Sequence, residues 1–125
     1  MNYERLHDYL QCKPGAVVDF PFDPVTLVFK VGGKMFALII LDEQPLRMNL
    51  KCDPAQAQAL RDCFPAIIPG YHMNKRHWNA LILDGSLPDE LVCALIDDSY
   101  ALVVKGLSKS LRQKVAWQPN PPRRL

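Results

Sequence analysis

A Gly-Gly pair between two β-rich segments is the feature that most restricts how this chain can fold. Residues 25–31 and 34–41 are almost continuous runs of β-favouring side chains, and only Gly32 and Gly33 separate them. Glycine adopts the positive φ angles of a tight hairpin turn at no steric cost. The pair therefore predicts a β-hairpin, and the two strands that it joins must run antiparallel.

A third strand is predicted at residues 46–52, after a turn at residues 42–45. Its side chains alternate between apolar and polar types, which places the polar ones on a single face: Arg47, Asn49 and Lys51. We expect this polar face to meet solvent and the apolar face to meet the core. Residues 77–83 alternate in the same way and predict a further strand.

Helices are predicted on both sides of these strands. The first covers residues 3–12, and the second begins with Asp53 as its N-cap and Pro54 in its first turn. Residues 86–89, Ser-Leu-Pro-Asp, resemble a capping box and predict the start of a long helix that ends at Gly106. A short final helix is expected after it.

The order of helix, three strands, helix, one or two strands and one or two helices describes an α+β fold. Its sheet should be mainly antiparallel, with the helices on one face. A chain of 125 residues has the usual size of one domain, which we expect to span residues 1–117. Residues 118–125 hold three prolines and two arginines, a composition that predicts a flexible tail.

The sequence contains no feature of a secreted or membrane-spanning chain. Its longest apolar run, residues 35–41, is far shorter than the roughly 20 residues that cross a bilayer. No signal peptide is recognised, so the cytoplasm is the expected location. None of the four cysteines belongs to a Cys-x-x-Cys pair, and we expect reduced, mostly buried thiols. They are Cys12, Cys52, Cys63 and Cys93.

Charge is distributed unevenly along the chain. Residues 1–98 carry 9 Lys and Arg against 13 Asp and Glu, a net charge of −4, whereas residues 99–125 carry 6 Lys and Arg and no acid. A basic end on an acidic body can attract polyanions. It can equally complement helix C-termini and keep the protein in solution. We favour the second interpretation.

Several segments, taken together, resemble the MmcQ/YjbR family of small bacterial proteins. They are Lys13-Pro14-Gly15-Ala16, residues 29–37, Leu50-Lys51-Cys52-Asp53-Pro54, residues 73–78 and residues 83–89. The resemblance extends from residue 2 to about residue 117. It implies a two-layer α/β sandwich of helix, three strands, helix, two strands and helix, with a short strand within residues 66–72. It also implies DNA binding by a fold with two wing-like projections, and it implies no catalytic residues.

Residues 71–78 hold most of the candidate binding chemistry. Lys75 and Arg76 could contact phosphates, and Asn74 could read a base edge. Tyr71 or Trp78 could stack on a base. The structural alternative is that Trp78 begins a core strand and Asn74 holds a turn, with both cations in solvent. We favour a core position for Trp78 and leave both interpretations open for the cations.

A second candidate surface is the outer face of the sheet with its hairpin. If the strands are neighbours, four cations could form one basic strip: Lys30, Lys34, Arg47 and Lys51. Affinity for nucleic acid grows with the number of phosphates neutralised together. The acids at residues 42–43 would dilute such a strip, and an ordinary polar sheet face is the alternative that we favour.

Metal binding and catalysis have little support in the sequence. His72 and His77 lie five residues apart, which is not the spacing of a helical metal site, and cations lie between them. Residues 31–34 form a turn without the spacing of a phosphate-binding loop. Asp97 and Asp98 are adjacent on a helix and point about 100° apart. We expect no metal, no cofactor and no enzymatic activity.

The function predicted from the sequence is therefore the non-enzymatic binding of DNA or another polyanion. The expected contacts to the phosphate backbone come from five cations, with an amide and an imidazole in secondary roles: Lys75, Arg76, Lys30, Lys34, Lys51, Asn74 and His77. The rival hypothesis is a module that binds a protein or peptide, as secretion-chaperone-like sandwiches do, and an uncommon enzyme ranks third. A monomer is the default expectation.

Overall fold

All strands of the sheet run antiparallel to their neighbours. The computed structural model describes residues 1–70 and 73–115, and within them it contains six strands and four helices. The strands are β1 (Val17–Asp19), β2 (Thr26–Val31), β3 (Lys34–Ile40), β4 (Arg47–Lys51), β5 (Ile67–Pro69) and β6 (Trp78–Ile82). They lie in the sheet in the order β1-β2-β3-β4-β6-β5. The helices are α1 (Tyr3–Gln11), α2 (Pro54–Cys63), α3 (Asp89–Lys105) and α4 (Lys109–Val115).

This arrangement confirms the predicted α+β class and adds one strand to the predicted order. The extra strand, β1, has three residues and pairs with β2 at the edge of the sheet. The short strand that the family resemblance implied is β5, which pairs with β6. The predicted tail at residues 118–125, and with it the boundary at residue 117, lies outside the described residues.

The Gly32-Gly33 hairpin forms as its sequence predicts. Gly32 and Gly33 have φ angles of 57° and 80°, and Val31 pairs with Lys34 directly across the turn. Both positive angles lie in the left-handed region that glycine adopts without strain. The turn joins β2 to β3, and the register of this pair shifts once, between Phe29 and Lys30.

Local capping signals predict one helix start correctly and another wrongly. The Asp53 side chain accepts a hydrogen bond from the backbone nitrogen of Gln56 and caps α2, as expected. The capping box predicted at residues 86–89 does not form. Pro88 occupies the N-cap position of α3, and the hydroxyl of Ser86 instead donates to Asp84 within the preceding turn. The hydroxyl and the backbone nitrogen of Ser86 both donate hydrogen bonds to Asp84, and they lower the pKa of its carboxyl.

The helices cover one face of the sheet and form the core with it. Helix α3 packs across β2, β3 and β4, while α2 packs against β5 and β6. Large buried side chains meet between the layers, among them Phe29, Phe36, Ile39, Met48, Ile96 and Tyr100. No helix within the described residues is long and apolar enough to cross a membrane.

All four cysteines are free thiols, but only two of them are buried. Cys52 and Cys93 are packed inside, and burial is the main cause that raises the pKa of each thiol. The expectation of mostly buried thiols was wrong for Cys12 and Cys63, which are exposed. Cys12 is the C-cap of α1, and Cys63 is the last residue of α2.

Candidate nucleic-acid interface

The face of the sheet opposite the helices carries three rows of side chains, each running across the strands. Strand pairing aligns Thr26, Ile40, Arg47 and Ile82 in the first row. The middle row aligns Val28, Leu38, Asn49, Ala80 and Ile68. The third row contains Lys30 beside Met35 and Lys51 beside Trp78. This outer face is therefore apolar in its middle and cationic along one side.

Two loops reach over this outer face from opposite sides. The loop between β1 and β2 contributes Phe22 and Asp23, and the loop between β5 and β6 contributes Met73. Phe22 is 64% exposed, so its ring lies at the outer rim. Asp23 fixes the first loop by accepting hydrogen bonds from the backbone of Val25 and from the backbone and hydroxyl of Thr26. These hydrogen bonds, chiefly that of the hydroxyl, lower the pKa of the Asp23 carboxyl.

Between the loops lies a cavity of about 330 Å³ above the middle row. A volume of this size is at the lower end of small-molecule sites, which start near 300 Å³. Its lining is mostly apolar and includes two methionine side chains: Phe22, Asp23, Thr26, Met35, Leu38, Ile40, Asn49 and Met73. We refer to it as the Asn49 cavity.

Asn49 lies in this cavity with an incompletely satisfied amide. The side chain is only 1% exposed, and its Nδ2 lies 3.2 Å from the sulfur of Met73. Its Oδ1 has no hydrogen-bond partner among the described residues. The expectation that Asn49 meets solvent was wrong, because the loop that carries Met73 folds over the strand. The alternation of β4 identified the face correctly but not the covering loop.

A shallower depression of about 430 Å³ adjoins the Asn49 cavity along the cationic row. The two share Phe22 and Met35 in their linings. The remaining lining residues of the depression include three lysines and a tryptophan: Pro21, Lys30, Gly33, Lys34, Lys51 and Trp78. We refer to it as the lysine depression.

The three lysines differ in how strongly the protein already neutralises them. Lys30 Nζ lies 3.5 Å from the carboxylate of Asp19, in a partly exposed ion pair. Lys34 Nζ lies 3.4 Å from the carbonyl oxygen of Gly106, at the end of α3. Lys51 forms no ion pair with any residue in the described part of the chain. Lys51 is therefore the cation of the depression that is freest to bind an anion.

Arg47 does not join the three lysines, so the strip of four cations, which the sequence offered as the less favoured alternative, does not form with all four members. Arg47 lies in the first row, on the other side of Asn49 from Lys51. Its guanidinium is engaged by Glu43 at 3.6 Å. The acid that the sequence placed nearby thus neutralises Arg47 and not the lysines.

Trp78 begins β6 as expected, but its side chain lies on the outer face and not in the core. It is half-buried, pairs with Lys51 across the strands and lines the lysine depression. A residue with a side chain at Gly70 would meet Trp78 Cβ at 2.8 Å. Glycine therefore lets β5 approach β6 closely beside this tryptophan.

The remaining candidate residues lie in the loop before Trp78: Asn74, Lys75, Arg76 and His77. None of these four lines the lysine depression. Asn74 organises the turn. Its side-chain oxygen accepts a hydrogen bond from the backbone nitrogen of Arg76, and its backbone carbonyl accepts hydrogen bonds from the backbone nitrogens of His77 and Trp78. Lys75 and Arg76 are exposed, and His77 is half-buried.

The same loop is anchored to the helical layer by Arg61 of α2. The Arg61 guanidinium donates to the carbonyl oxygen of Lys75 at 2.9 Å and to the side-chain oxygen of Asn79 at 3.1 Å. Asn79 is 2% exposed and donates in turn to the carbonyl of Ala57. This network holds Lys75 and Arg76 at one end of the outer face.

Within the described residues, no three His, Cys, Asp or Glu side chains come together in a way that could hold a metal ion. Two of the residues considered from the sequence lie outside the described residues: Tyr71, a candidate for base stacking, and His72, which was weighed with His77 as a metal ligand. Sequence reasoning missed Phe22, Met73 and the burial of Asn49. The sequence signal that could have drawn attention to Phe22 is the pair of phenylalanines, Phe20 and Phe22, within residues 20–25.

Comparison with known proteins finds similar chains in bacteria. The family model described as YjbR matches residues 12–102. Uncharacterized protein YbdF of Escherichia coli O157:H7 is 41% identical over 102 residues, which cover 82% of this chain and 84% of that protein. Uncharacterized protein YjbR of Escherichia coli K12 is 34% identical over 113 residues, which cover 90% of this chain and 96% of that protein.

Solved structures share the fold. The crystal structure of Deinococcus radiodurans protein DR2400, described as a DUF419 domain, superposes with a TM-score of 0.87 at 41% identity and covers 92% of this chain and 88% of that one. A Pseudomonas syringae protein superposes with a TM-score of 0.72 at 32% identity and covers 82% of this chain and 98% of its own.

Proposed function

Because this chain belongs to the YjbR family of small, uncharacterised proteins, we propose its function from its own geometry: a non-enzymatic, cytoplasmic DNA-binding protein. The observation that carries the proposal is the lysine depression, in which Lys51 and Trp78 lie side by side with Lys30 and Lys34 around one open surface. Cations that contact phosphates, next to an aromatic ring on which a base can stack, are the usual elements of a nucleic-acid surface.

The charge balance of the chain indicates modest affinity. The net charge is only +2, so there is no strong overall attraction to a polyanion. Local neutralisation must supply the binding free energy, from the lysine depression and from Lys75 and Arg76 at the edge of the outer face. Binding that rests on a few phosphate contacts is micromolar or weaker at physiological salt and falls steeply as salt increases.

Fluorescence anisotropy with labelled duplex and single-stranded DNA, from about 50 to 200 mM salt, tests this proposal. The informative variant replaces Lys30, Lys34 and Lys51 with alanine, and Arg5→Ala is the matched control, since Arg5 is an exposed cation on α1 in the helical layer. We expect the triple variant to lose most of the affinity and to flatten the salt dependence, with Arg5→Ala close to wild type. If no DNA binds even at the lowest salt, the proposal fails.

A protein partner is the second candidate, and the edge strand β1 favours it. Val17 of this strand is 61% exposed, and Phe20 just after it is 47% exposed. An edge strand with exposed apolar side chains can accept an added strand from a partner. Unchanged DNA binding after Val17→Asp, together with loss of DNA binding in the lysine variant, would separate the two surfaces.

A further inference from the structure

We propose that the Asn49 cavity is a pocket for a single nucleobase, with the phosphate of the same nucleotide held by the neighbouring lysine depression. The proposal rests on the nucleic-acid function given above, since the same lysines supply the anion contacts. It goes further because it assigns a site for the base itself. The shared chemistry is that of a nucleotide, which a single strand or a free mononucleotide could provide.

The buried amide of Asn49 indicates that the cavity takes a polar ligand. Burying an amide without its hydrogen bonds is unfavourable in proteins. Asn49 is 1% exposed, and its Oδ1 is unpartnered among the described residues. An unpaired acceptor on a side chain that lines a cavity matches an N–H donor on the edge of a heteroaromatic ring. Asparagine is a common reader of base edges for this reason.

The walls of the cavity suit a flat aromatic ring. Met35 and Met73 provide polarisable thioethers, Leu38 and Ile40 provide an apolar floor, and Phe22 lies at the rim. Thioethers and aromatic rings both pack favourably against π-systems. An unstacked base is bound in this manner, between apolar or aromatic side chains and with its edge hydrogen-bonded.

The charges around the cavity fix the orientation of such a ligand. Asp23 lies at the cavity, and its carboxylate accepts hydrogen bonds within its own loop, so that side repels a phosphate. Lys51 lies on the opposite side, two residues along β4 from Asn49, which is about 7 Å in a strand. That separation is similar to the distance between base and phosphate in a nucleotide. The phosphate therefore points toward the lysine depression.

The experiment compares three probes by anisotropy or by competition: a hexamer of deoxyadenylate, a hexamer of abasic deoxyribose phosphates, and adenosine monophosphate. The hexamers share the same backbone charge, so their difference in affinity measures the contribution of the bases. We expect the deoxyadenylate strand to bind at least about fivefold more tightly than the abasic strand, since one stacked base contributes roughly 1–3 kcal/mol.

Two variants test whether the difference in affinity between the two hexamers arises in the Asn49 cavity. Asn49→Leu removes the unpaired amide and keeps the volume of the side chain, so we expect a protein that unfolds at the same urea concentration or a higher one. Ile40→Trp fills the cavity from its half-buried floor and leaves Asn49 in place. Each should lower the affinity for deoxyadenylate by about fivefold or more and leave that for the abasic strand unchanged, while any stacking on Trp78 remains. Lys51→Ala, in contrast, should weaken both strands by a similar factor.

The outcomes separate this inference from the function on which it rests. If Asn49→Leu and Ile40→Trp bind deoxyadenylate as tightly as the wild type does, the nucleobase pocket is overturned while DNA binding stands. Absence of binding by both hexamers, by the mononucleotide and by the duplex and single-stranded DNA described above would overturn both proposals. Binding of adenosine monophosphate that both variants abolish, without binding of the hexamers, would support the pocket, identify a free nucleotide as its ligand and overturn DNA binding.

Discussion

The hydroxyl group of Ser99 bridges strands β3 and β4 and is hydrogen-bonded to the backbone of Lys51. Ser99 is fully buried in α3, where its Oγ accepts a hydrogen bond from Lys51 N at 2.9 Å and donates one to the carbonyl oxygen of Phe36 at 2.5 Å. Ala37 pairs with Leu50, so Phe36 and Lys51 would form the next pair of the ladder. The serine bridges them instead, and it connects the core directly to the cationic row.

Replacement of Ser99 with alanine should therefore destabilise the protein and disturb Lys51. The variant leaves a buried backbone N–H and a buried carbonyl without partners, and such a loss costs about 1–3 kcal/mol. Urea unfolding followed by circular dichroism measures the change in the free energy of unfolding. Ser110→Ala is the control, because Ser110 is exposed on α4. Equal stability of the two variants would mean that the bridge contributes nothing to the fold.

A further prediction concerns Lys75 and Arg76, the two cations at the edge of the outer face. Both side chains are exposed at the anchored loop and form no ion pair among the described residues. Replacing both with alanine should weaken DNA binding and reduce the slope of log affinity against log salt by roughly one for each phosphate that is no longer neutralised. Anisotropy titrations at several salt concentrations measure the slope. An unchanged slope would remove this loop from the DNA-binding surface.

Trp78 gives a spectroscopic prediction for the lysine depression. The chain has two tryptophans, Trp78 and Trp117, so a Trp117→Phe background isolates the signal of Trp78. Stacking of a base on its half-buried ring should quench the fluorescence when single-stranded DNA is added. Trp78→Ala should weaken binding by roughly 1–3 kcal/mol, and Trp78→Phe by less. Binding without quenching, at wild-type affinity in the alanine variant, would exclude stacking at this residue.

The sequence was sufficient for the parts of the fold that local chemistry determines. Gly32 and Gly33 predicted the hairpin because few other residues adopt its φ angles, and Asp53 predicted the start of α2 because its carboxylate caps the backbone beside it. Strand β1 escaped prediction because three residues cannot show an alternation. The capping box failed because Pro88 took the N-cap position that the pattern had assigned to Ser86.

The candidate site could be predicted only in outline. Alternation in β4 placed Asn49 and Lys51 on one face, but their different environments depend on residues distant in sequence. Met73 covers Asn49 from one loop, and Phe22 borders the cavity from another. Trp78 was assigned to the core on the basis of its size, whereas strand pairing puts it beside Lys51. Such positions follow from tertiary packing, which no local pattern contains.

The two hairpin glycines provide a matched pair of variants. Both have positive φ angles, so alanine at either position should cost about 1–2 kcal/mol in backbone strain. A Cβ at Gly32 would also lie 2.7 Å from the buried side chain of Leu107, whereas a Cβ at Gly33 has nothing within 4 Å. Gly32→Ala should therefore be the more destabilising variant, by about 1–3 kcal/mol for the overpacking. Urea unfolding of the two variants tests the difference, and equal stability would show that Leu107 moves aside freely.

Because Tyr100 is buried, we expect the protein to lose stability at high pH. The residue is 2% exposed and donates to the carbonyl oxygen of Pro14, and burial raises the pKa of its phenol from 10 to about 12. Below pH 10 the phenol is protonated in both states, so its contribution to folding is complete. Between the two values the unfolded chain ionises first, and the contribution is lost as the pH rises toward about 12.

The free energy of unfolding, measured in urea at about pH 8 and again at about pH 11, tests this titration on either side of the unfolded value. Tyr100→Phe cannot ionise, so it should lose less stability over this interval than the wild type does. Its stability at pH 8 should be lower, because the carbonyl of Pro14 loses its donor. Tyr3→Phe, at an exposed tyrosine, is the control and should follow the wild type. An identical loss in the Tyr100→Phe variant would show that other groups cause the alkaline destabilisation.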